Sequence, residues 1–240
     1  MRAGLRVAGL ILLFFACLLP HLIAKWLGRR SAWPQRFLAA AAWICGADVR
    51  MSGAPIRPHC LLVANHTSWL DILILGGSTG CAFVSKDALG HGLLHWLADQ
   101  NQTVYVRREH RKGAKNQAVQ IARALERDNP IALFPEGTTG PGDELLPFRS
   151  TLLEAAAYAD KTVEIRPVAI DFGPFQTEVG WWHEPGKDNV LRILGRRGRL
   201  PVTVRLLDPV PHLDRKTLAT HARTEIANAL AASDSRDARL

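Results

Sequence analysis

Residues 60–71 of this 240-residue chain read CLLVANHTSWLD. The apolar run at residues 60–64 predicts a buried strand, which ends at the polar pair Asn65 and His66. Asp71 is a residue type that favours the first turn of a helix, so a helix is predicted to follow. Ligands gather at the strand ends of α/β sheets, and His66 is therefore placed where chemistry is common.

A tight turn followed by one helical turn can bring His66 and Asp71 within reach of each other. The carboxylate then holds the proton of one ring nitrogen and leaves the other nitrogen as a base. A turn histidine and a helix-capping aspartate are the alternative interpretation of this pair. The other motifs of the chain are needed to decide between the two.

The composition indicates which kinds of molecule the protein could bind. The formal charge of +8 favours an anionic partner, such as acidic lipid, a phosphorylated substrate or an acidic carrier protein. Residues 192–199 are strongly basic and predict either a membrane or carrier contact or a plain surface loop. No nucleic-acid-binding pattern is present. The four isolated cysteines lack metal-ligand spacing, which predicts a reducing compartment and no metal site.

The N-terminal residues predict a membrane-associated helical hairpin. Residues 7–24 contain no Asp, Glu, Lys or Arg, although Pro20 and His21 interrupt the apolar run, and a second apolar helix is predicted at residues 37–45. Basic residues flank the first segment on both sides. This favours a helix that dips into or lies in one leaflet with both ends on the cytoplasmic face. A secretory signal and a buried soluble helix are the alternatives.

Strands and helices alternate over the rest of the chain. This predicts an α/β fold, a mixed β-sheet flanked by helices, behind the N-terminal hairpin. The expected division is a hairpin at residues 1–48, a catalytic domain at residues 49–232 and a loose tail at residues 233–240.

Three predicted strand ends carry unusual polar residues. They are Asn65 and His66 with Asp71, Arg107 with Arg108, and Glu136 with Gly137 and Thr138. Because the strand ends of one sheet converge, these residues could line one cleft. Arginine matches phosphate oxygens, Gly137 allows a ligand close to the backbone, and Arg149 is a second candidate cation. A solvated basic surface and an ordinary turn glycine are the structural alternatives.

The chain resembles the glycerolipid acyltransferases, in particular the bacterial 1-acyl-sn-glycerol-3-phosphate acyltransferases, over roughly residues 55–210. Four ordered blocks carry the resemblance: Asn65-His66-x-Ser68-x-x-Asp71, then Arg108 after a strand, then Phe134-Pro135-Glu136-Gly137-Thr138, then Pro167-Val168-Ala169-Ile170. The first and third blocks at this separation are highly specific.

The resemblance implies acyl transfer from a thioester of acyl-carrier protein or coenzyme A to 1-acyl-sn-glycerol-3-phosphate, giving phosphatidic acid without a cofactor. His66 would be the general base and Asp71 would orient it. The enzyme would work on the anionic cytoplasmic face of the inner membrane. The residues predicted to bind the acceptor are Asn65, Ser68, Arg107, Arg108, Glu136, Gly137, Thr138 and Arg149, with Arg108 on the phosphate.

Other interpretations stay open. Arg107 and Thr139 depart from the residues that many family members carry, so lyso-ornithine lipid is the alternative acceptor. Residues 76–80 read GGSTG and match the Gly-x-Ser-x-Gly pattern of serine hydrolases, with Ser78 as nucleophile. That pattern must follow a strand, whereas here it is predicted to follow a helix. A non-catalytic lipid-binding membrane module would use the same cleft without turnover.

Overall fold

The computed structural model describes residues 1–86, 92–106 and 113–237. These residues form seven strands and nine α-helices. The strands are β1 (Ala47–Ser52), β2 (Cys60–Ala64), β3 (Ala82–Lys86), β4 (Val104–Val106), β5 (Ile131–Leu133), β6 (Glu164–Asp171) and β7 (Leu200–Leu206). The helices are α1 (Arg2–Trp26), α2 (Trp33–Cys45), α3 (Leu70–Thr79), α4 (Leu93–Gln100), α5 (Gly113–Leu125), α6 (Glu154–Tyr158), α7 (Gln176–Val179), α8 (Gly186–Gly195) and α9 (Arg215–Asp237).

The strands form one sheet in the order β1-β7-β6-β2-β5-β3-β4. All neighbouring strands are parallel except β6 and β7, so the predicted mixed sheet flanked by helices is confirmed. Every residue of β2 is buried, as expected for a continuously apolar strand with helices on both faces. Strands β2, β3, β4, β5 and β6 run in one direction and therefore share the edge at which they end.

The apolar core lies on both faces of the sheet. Leu62 of β2 belongs to one cluster and its neighbours Leu61 and Val63 to the other, because successive side chains of a strand point to opposite faces. Ala42 and Cys45 of α2 are buried in the same cluster as Leu62. The hairpin therefore shares its core with the sheet across the boundary expected at residue 48.

Helix α2 packs directly against α3. A Cβ atom at Gly77 would lie 2.5 Å from the Cα atom of Ala39, so the two helices cross at a position where only glycine fits. Helix α3 is capped by Gly80, which has the left-handed φ of 69° that favours glycine. The hairpin thus supports the helix that begins at the candidate site.

Helix α1 continues through Pro20, which interrupts the apolar run of the sequence but not the helix. His21 is 6% exposed, and its ring nitrogens lie 2.7 Å from Ser31 Oγ and 3.0 Å from Gln100 Oε1 on α4. These polar partners accommodate a histidine within the apolar stretch of α1. Within the described ranges, α1 is the one helix that is long and apolar enough to cross a membrane.

The first turns of α1 are also attached to the rest of the protein. Arg6 Nη1 donates hydrogen bonds to Ile193 O at 3.0 Å and Leu194 O at 3.2 Å, at the end of α8. Together with the contacts of His21, these bonds fix both ends of α1 to the α/β domain.

Two further elements differ from the sequence analysis. Helix α8 covers part of the basic segment at residues 192–199, for which a plain surface loop was one prediction. Helix α9 continues to Asp237, beyond residue 233, where the loose tail was expected to begin.

Candidate active site

His66 and Asp71 form a hydrogen-bonded pair at the end of β2. His66 Nδ1 lies 2.9 Å from Asp71 Oδ2, and the same oxygen accepts hydrogen bonds from the backbone nitrogens of Thr67 at 2.7 Å and Ser68 at 2.9 Å. Asp71 is fully buried in the first turn of α3. An ionised carboxylate can only accept, so Nδ1 carries the proton and Nε2 is left as the basic nitrogen.

The His66 ring is open to a ligand. Its side chain is 17% exposed, and Nε2 makes no hydrogen bond to any residue that the structure describes. The other oxygen of Asp71, Oδ1, likewise has no hydrogen-bond partner in the described part of the chain. The arrangement presents one free imidazole nitrogen whose orientation is set by a buried acid.

The loop after β5 encloses His66 from the other side. The Phe134 ring stacks on the imidazole at a centroid distance of 4.1 Å and an angle of 17°. Glu136 Oε1 accepts a hydrogen bond from His66 N at 2.7 Å, and Gly140 N donates to His66 O at 2.9 Å. The first and third blocks of the resemblance are therefore in direct contact.

Glu136 is buried, although the resemblance predicts that it binds the acceptor. It is 3% exposed, and Oε2 accepts a hydrogen bond from Leu146 N at 3.2 Å. Burial raises the pKa of Glu136 to about 8, against the lowering effect of the two backbone hydrogen bonds.

Gly137, Thr138 and Arg149 lie on the open side of the same loop. Gly137 has a φ of 71°, and a Cβ atom there would lie 3.3 Å from Arg149 Cδ, so the glycine suits both the turn and the arginine above it. Thr138 and Arg149 are exposed. Arg107 and Arg108 lie outside the described residues.

The polar atoms of Asn65 and Ser68 are engaged within the protein. Asn65 is 1% exposed and makes two hydrogen bonds to the backbone of Ile170, of 3.0 Å and 2.8 Å, which tie the end of β2 to β6. Ser68 is fully buried, and its Oγ accepts from Leu70 N at 3.3 Å. In this conformation both side chains shape the loop and present no free polar atom to a ligand.

Two cavities meet at His66. A large cavity of about 1120 Å³ has mainly apolar walls, to which α1, α2, α3 and α4 contribute, and it is also lined by Gly137 and Thr138. A smaller cavity of about 460 Å³ is lined by both polar and apolar residues, and the polar ones include Glu136 and Asp171. Among the described residues, neither cavity is lined by Lys or Arg.

Ser78 does not occupy the setting that a serine hydrolase requires. It lies in the last turn of α3, whereas the nucleophile of that pattern stands on a turn between a strand and a helix.

Some residues around the site were not singled out from the sequence. Gln176 Nε2 donates to Thr67 Oγ1 at 2.9 Å, and Trp181 N donates to Thr67 O at 3.0 Å. These bonds join residues more than 100 positions apart, and no local pattern signals them. The position of Phe134 at the site could have been predicted, because it is an aromatic residue at a strand end and belongs to the third block.

Known proteins resemble the chain over most of its length. The family described as Acyltransferase matches residues 48–171. The chain is 30% identical to the lyso-ornithine lipid O-acyltransferase of Rhodobacter capsulatus, over 95% of this chain and 90% of that protein. It is 32% identical to the 1-acyl-sn-glycerol-3-phosphate acyltransferase of Neisseria gonorrhoeae, over 52% and 49%. The crystal structure of the 1-acyl-sn-glycerophosphate acyltransferase PlsC from Thermotoga maritima has the same fold, with a TM-score of 0.64, 19% identity, and coverage of 96% and 98%.

Proposed function

Because the chain belongs to the acyltransferase family, we propose that it moves a fatty acyl group from an acyl thioester to the free hydroxyl of a lysolipid. The observation that carries this proposal is the His66–Asp71 pair, held at 2.9 Å in the wall of a large apolar cavity. The cavity offers apolar surface to fatty chains, and the imidazole offers a base beside them.

The proposed reaction needs one base and no covalent intermediate on the enzyme. His66 Nε2 accepts the proton of the acceptor hydroxyl as its oxygen attacks the thioester carbonyl carbon. The carbon–sulfur bond then breaks, and the leaving thiolate takes the proton back from the imidazolium. The products are an ester and a free thiol. A base positioned in this way contributes about 10²–10⁴-fold to the rate.

The acceptor we favour is lyso-ornithine lipid. The relative of that name aligns with 95% of this chain, whereas the 1-acyl-sn-glycerol-3-phosphate acyltransferase aligns with 52%. The second candidate is 1-acyl-sn-glycerol-3-phosphate, for which the exposed Arg149 beside Gly137 is a suitable cation.

The same proposal places the enzyme at the cytoplasmic face of the inner membrane. Arg6 and His21 attach both halves of α1 to one polar domain, which favours a helix lying along an anionic bilayer surface over one crossing it. The lysolipid would enter from the bilayer, and acyl-carrier protein or coenzyme A would deliver the acyl group as a soluble thioester. No further cofactor is needed for this chemistry.

Thiol release by the purified protein tests the reaction. With an acyl thioester as donor, free thiol should form only when a lysolipid acceptor is present, and the variant His66→Ala should lose the activity. Thiol release without an acceptor would indicate a hydrolase. Binding without release would indicate a lipid-binding module, and a wild-type rate in His66→Ala would refute the mechanism.

A comparison of acceptors tests substrate identity. We expect a higher kcat/KM with lyso-ornithine lipid than with 1-acyl-sn-glycerol-3-phosphate, using one donor and one detergent. Arg108→Ala provides the second measurement. It should impair only the phosphate-bearing acceptor if Arg108 binds a phosphate. The reverse order of kcat/KM would make 1-acyl-sn-glycerol-3-phosphate the substrate.

A further inference from the structure

Glu136 occupies a position that the resemblance assigns to acceptor binding, yet its contacts are internal. We infer that Glu136 is a positioning residue, which fixes His66 through its backbone, and that it does not bind the acceptor. This inference rests on the proposed role of His66 as the base.

Both carboxyl oxygens of Glu136 are already used. Oε1 accepts from His66 N at 2.7 Å, and Oε2 accepts from Leu146 N at 3.2 Å. The residue borders the smaller cavity but is only 3% exposed, so its remaining lone pairs offer an acceptor little access unless a backbone amide is displaced. A buried amide that loses its partner costs about 1–3 kcal/mol, which disfavours such a displacement.

Other residues at the end of β5 and in the loop after it also contact His66. Gly140 N donates to His66 O at 2.9 Å, and the Phe134 ring stacks on the imidazole. Residue 66 is therefore held at its backbone nitrogen, at its backbone oxygen and on one face of its ring, while Asp71 holds Nδ1. Misplacement of a reacting group by about 1 Å can cost about 100-fold in rate, so a base held at four points is protected from such a loss.

The two bonds of Glu136 predict different consequences for two substitutions. Glu136→Gln keeps a carbonyl oxygen that can accept from His66 N, and loses only the longer bond to Leu146 N. Glu136→Ala loses both bonds and leaves the backbone nitrogen of His66 without its partner. A positioning role therefore predicts that Glu136→Gln recovers most of the activity that Glu136→Ala loses.

Steady-state kinetics with varied acceptor concentration separate the two roles. For Glu136→Ala, we expect kcat to fall about 100-fold while the KM for the acceptor stays within about threefold of wild type. Glu136→Gln should recover kcat to within about tenfold of wild type, with the same KM. The matched control is Glu126→Ala, which alters an exposed acid just after α5, outside the lining of both cavities, and should leave both constants unchanged.

A rise in the acceptor KM at unchanged kcat, in either variant, would overturn the inference and restore Glu136 to acceptor binding. If Glu136→Ala does not fold, Glu136→Gln decides alone. Near wild-type constants then support positioning, and a raised KM refutes it. His66→Ala, measured in parallel, separates this outcome from failure of the proposed function. A KM effect at Glu136 with an inactive His66→Ala refutes only the positioning role, whereas an active His66→Ala refutes the mechanism itself.

Discussion

The surroundings of His66 and the helix α1 differ in which side chains they bury and which they expose. Around His66, polar residues are turned into the protein, since Asp71 of α3 is fully buried and Glu136 of the loop after β5 is 3% exposed. In α1, large apolar residues are turned outward, with Leu12 72% exposed, Phe15 62% and Leu19 65%. One region keeps polar groups away from water, and the other leaves apolar groups without protein partners.

The difference indicates what each region needs in order to work. The geometry around His66 is complete within the protein, because backbone and side-chain bonds from two loops fix the ring. The outer face of α1 is incomplete in the isolated chain, and on our proposal a lipid surface covers it. Substitutions around His66 should therefore change the rate of reaction, and substitutions on α1 should change how strongly the enzyme binds to membranes.

Asp71→Asn should produce the largest effect. An asparagine amide can donate to the ring nitrogen that the carboxylate now accepts from, which would move the imidazole proton to the wrong nitrogen. For a histidine oriented by an acid in this way, the loss in kcat is about 10⁴-fold. Thiol-release kinetics measure it, and circular dichroism checks the fold.

Asp99→Asn is the matched control, because Asp99 belongs to an exposed histidine–aspartate pair on α4 with a contact of 3.2 Å. Its kcat should equal that of wild type. If Asp71→Asn keeps more than a tenth of the wild-type kcat, the assignment of Asp71 as the orienting acid is wrong.

The double variant Leu12→Ser with Phe15→Ser should have the next largest effect, on membrane binding. Each apolar side chain that becomes buried contributes about 1.5 kcal/mol or more, so the pair should weaken vesicle binding by about 100-fold. Co-sedimentation with vesicles of anionic phospholipid measures the affinity. Met51→Ser, at an exposed apolar residue of β1, should bind as wild type does. Equal binding by the double variant would show that α1 is not the membrane contact.

Gly77→Ala should disturb the junction between the two regions. The added methyl would meet the backbone of Ala39 at 2.5 Å, and overpacking of this kind costs about 1–3 kcal/mol in unfolding free energy. Chemical denaturation measures the loss. Gly4→Ala is the control, because no heavy atom lies within 4 Å of its Cβ position and alanine favours a helix. Equal stabilities of the two variants would mean that α2 does not need to pack closely on α3.

Arg6→Ala should have the smallest effect. Its guanidinium bonds to the last carbonyls of α8, and a cation at a helix C-terminus contributes about 1 kcal/mol. The melting temperature should fall slightly while vesicle binding is preserved. Arg2→Ala, which removes an exposed cation of the same helix, is the comparison. If only Arg2→Ala lowers the melting temperature, the attachment of α1 at this end is misassigned.

The sequence predicted the site best where contacts are short-range. His66 and Asp71 are five positions apart, so a strand, a turn and one helical turn were enough to predict their contact. The bond between Glu136 and the backbone of His66 spans 70 positions. The resemblance predicted that Glu136 binds the acceptor. Only the fold shows that its carboxyl group lies inside the protein.

The fold was likewise predicted where the apolar pattern was strong. The continuously apolar β2 was identified, and so was the mixed sheet. Helix α8 was missed, although Val190, Ile193 and Leu194 have helical spacing, because the basic residues around them indicated a surface loop. The attachment of α1 through His21 could not be predicted, since its partner Gln100 is 79 positions away.

The shared walls of the large cavity have a consequence for handling the enzyme. Phe14, Trp33 and Phe37 of the first two helices line the same space as His66. Deleting an apolar N-terminal segment is a common way to obtain soluble protein, but here the deletion would remove part of the wall of the large cavity. Preparations meant for kinetics should keep the first 46 residues and use detergent or nanodiscs instead.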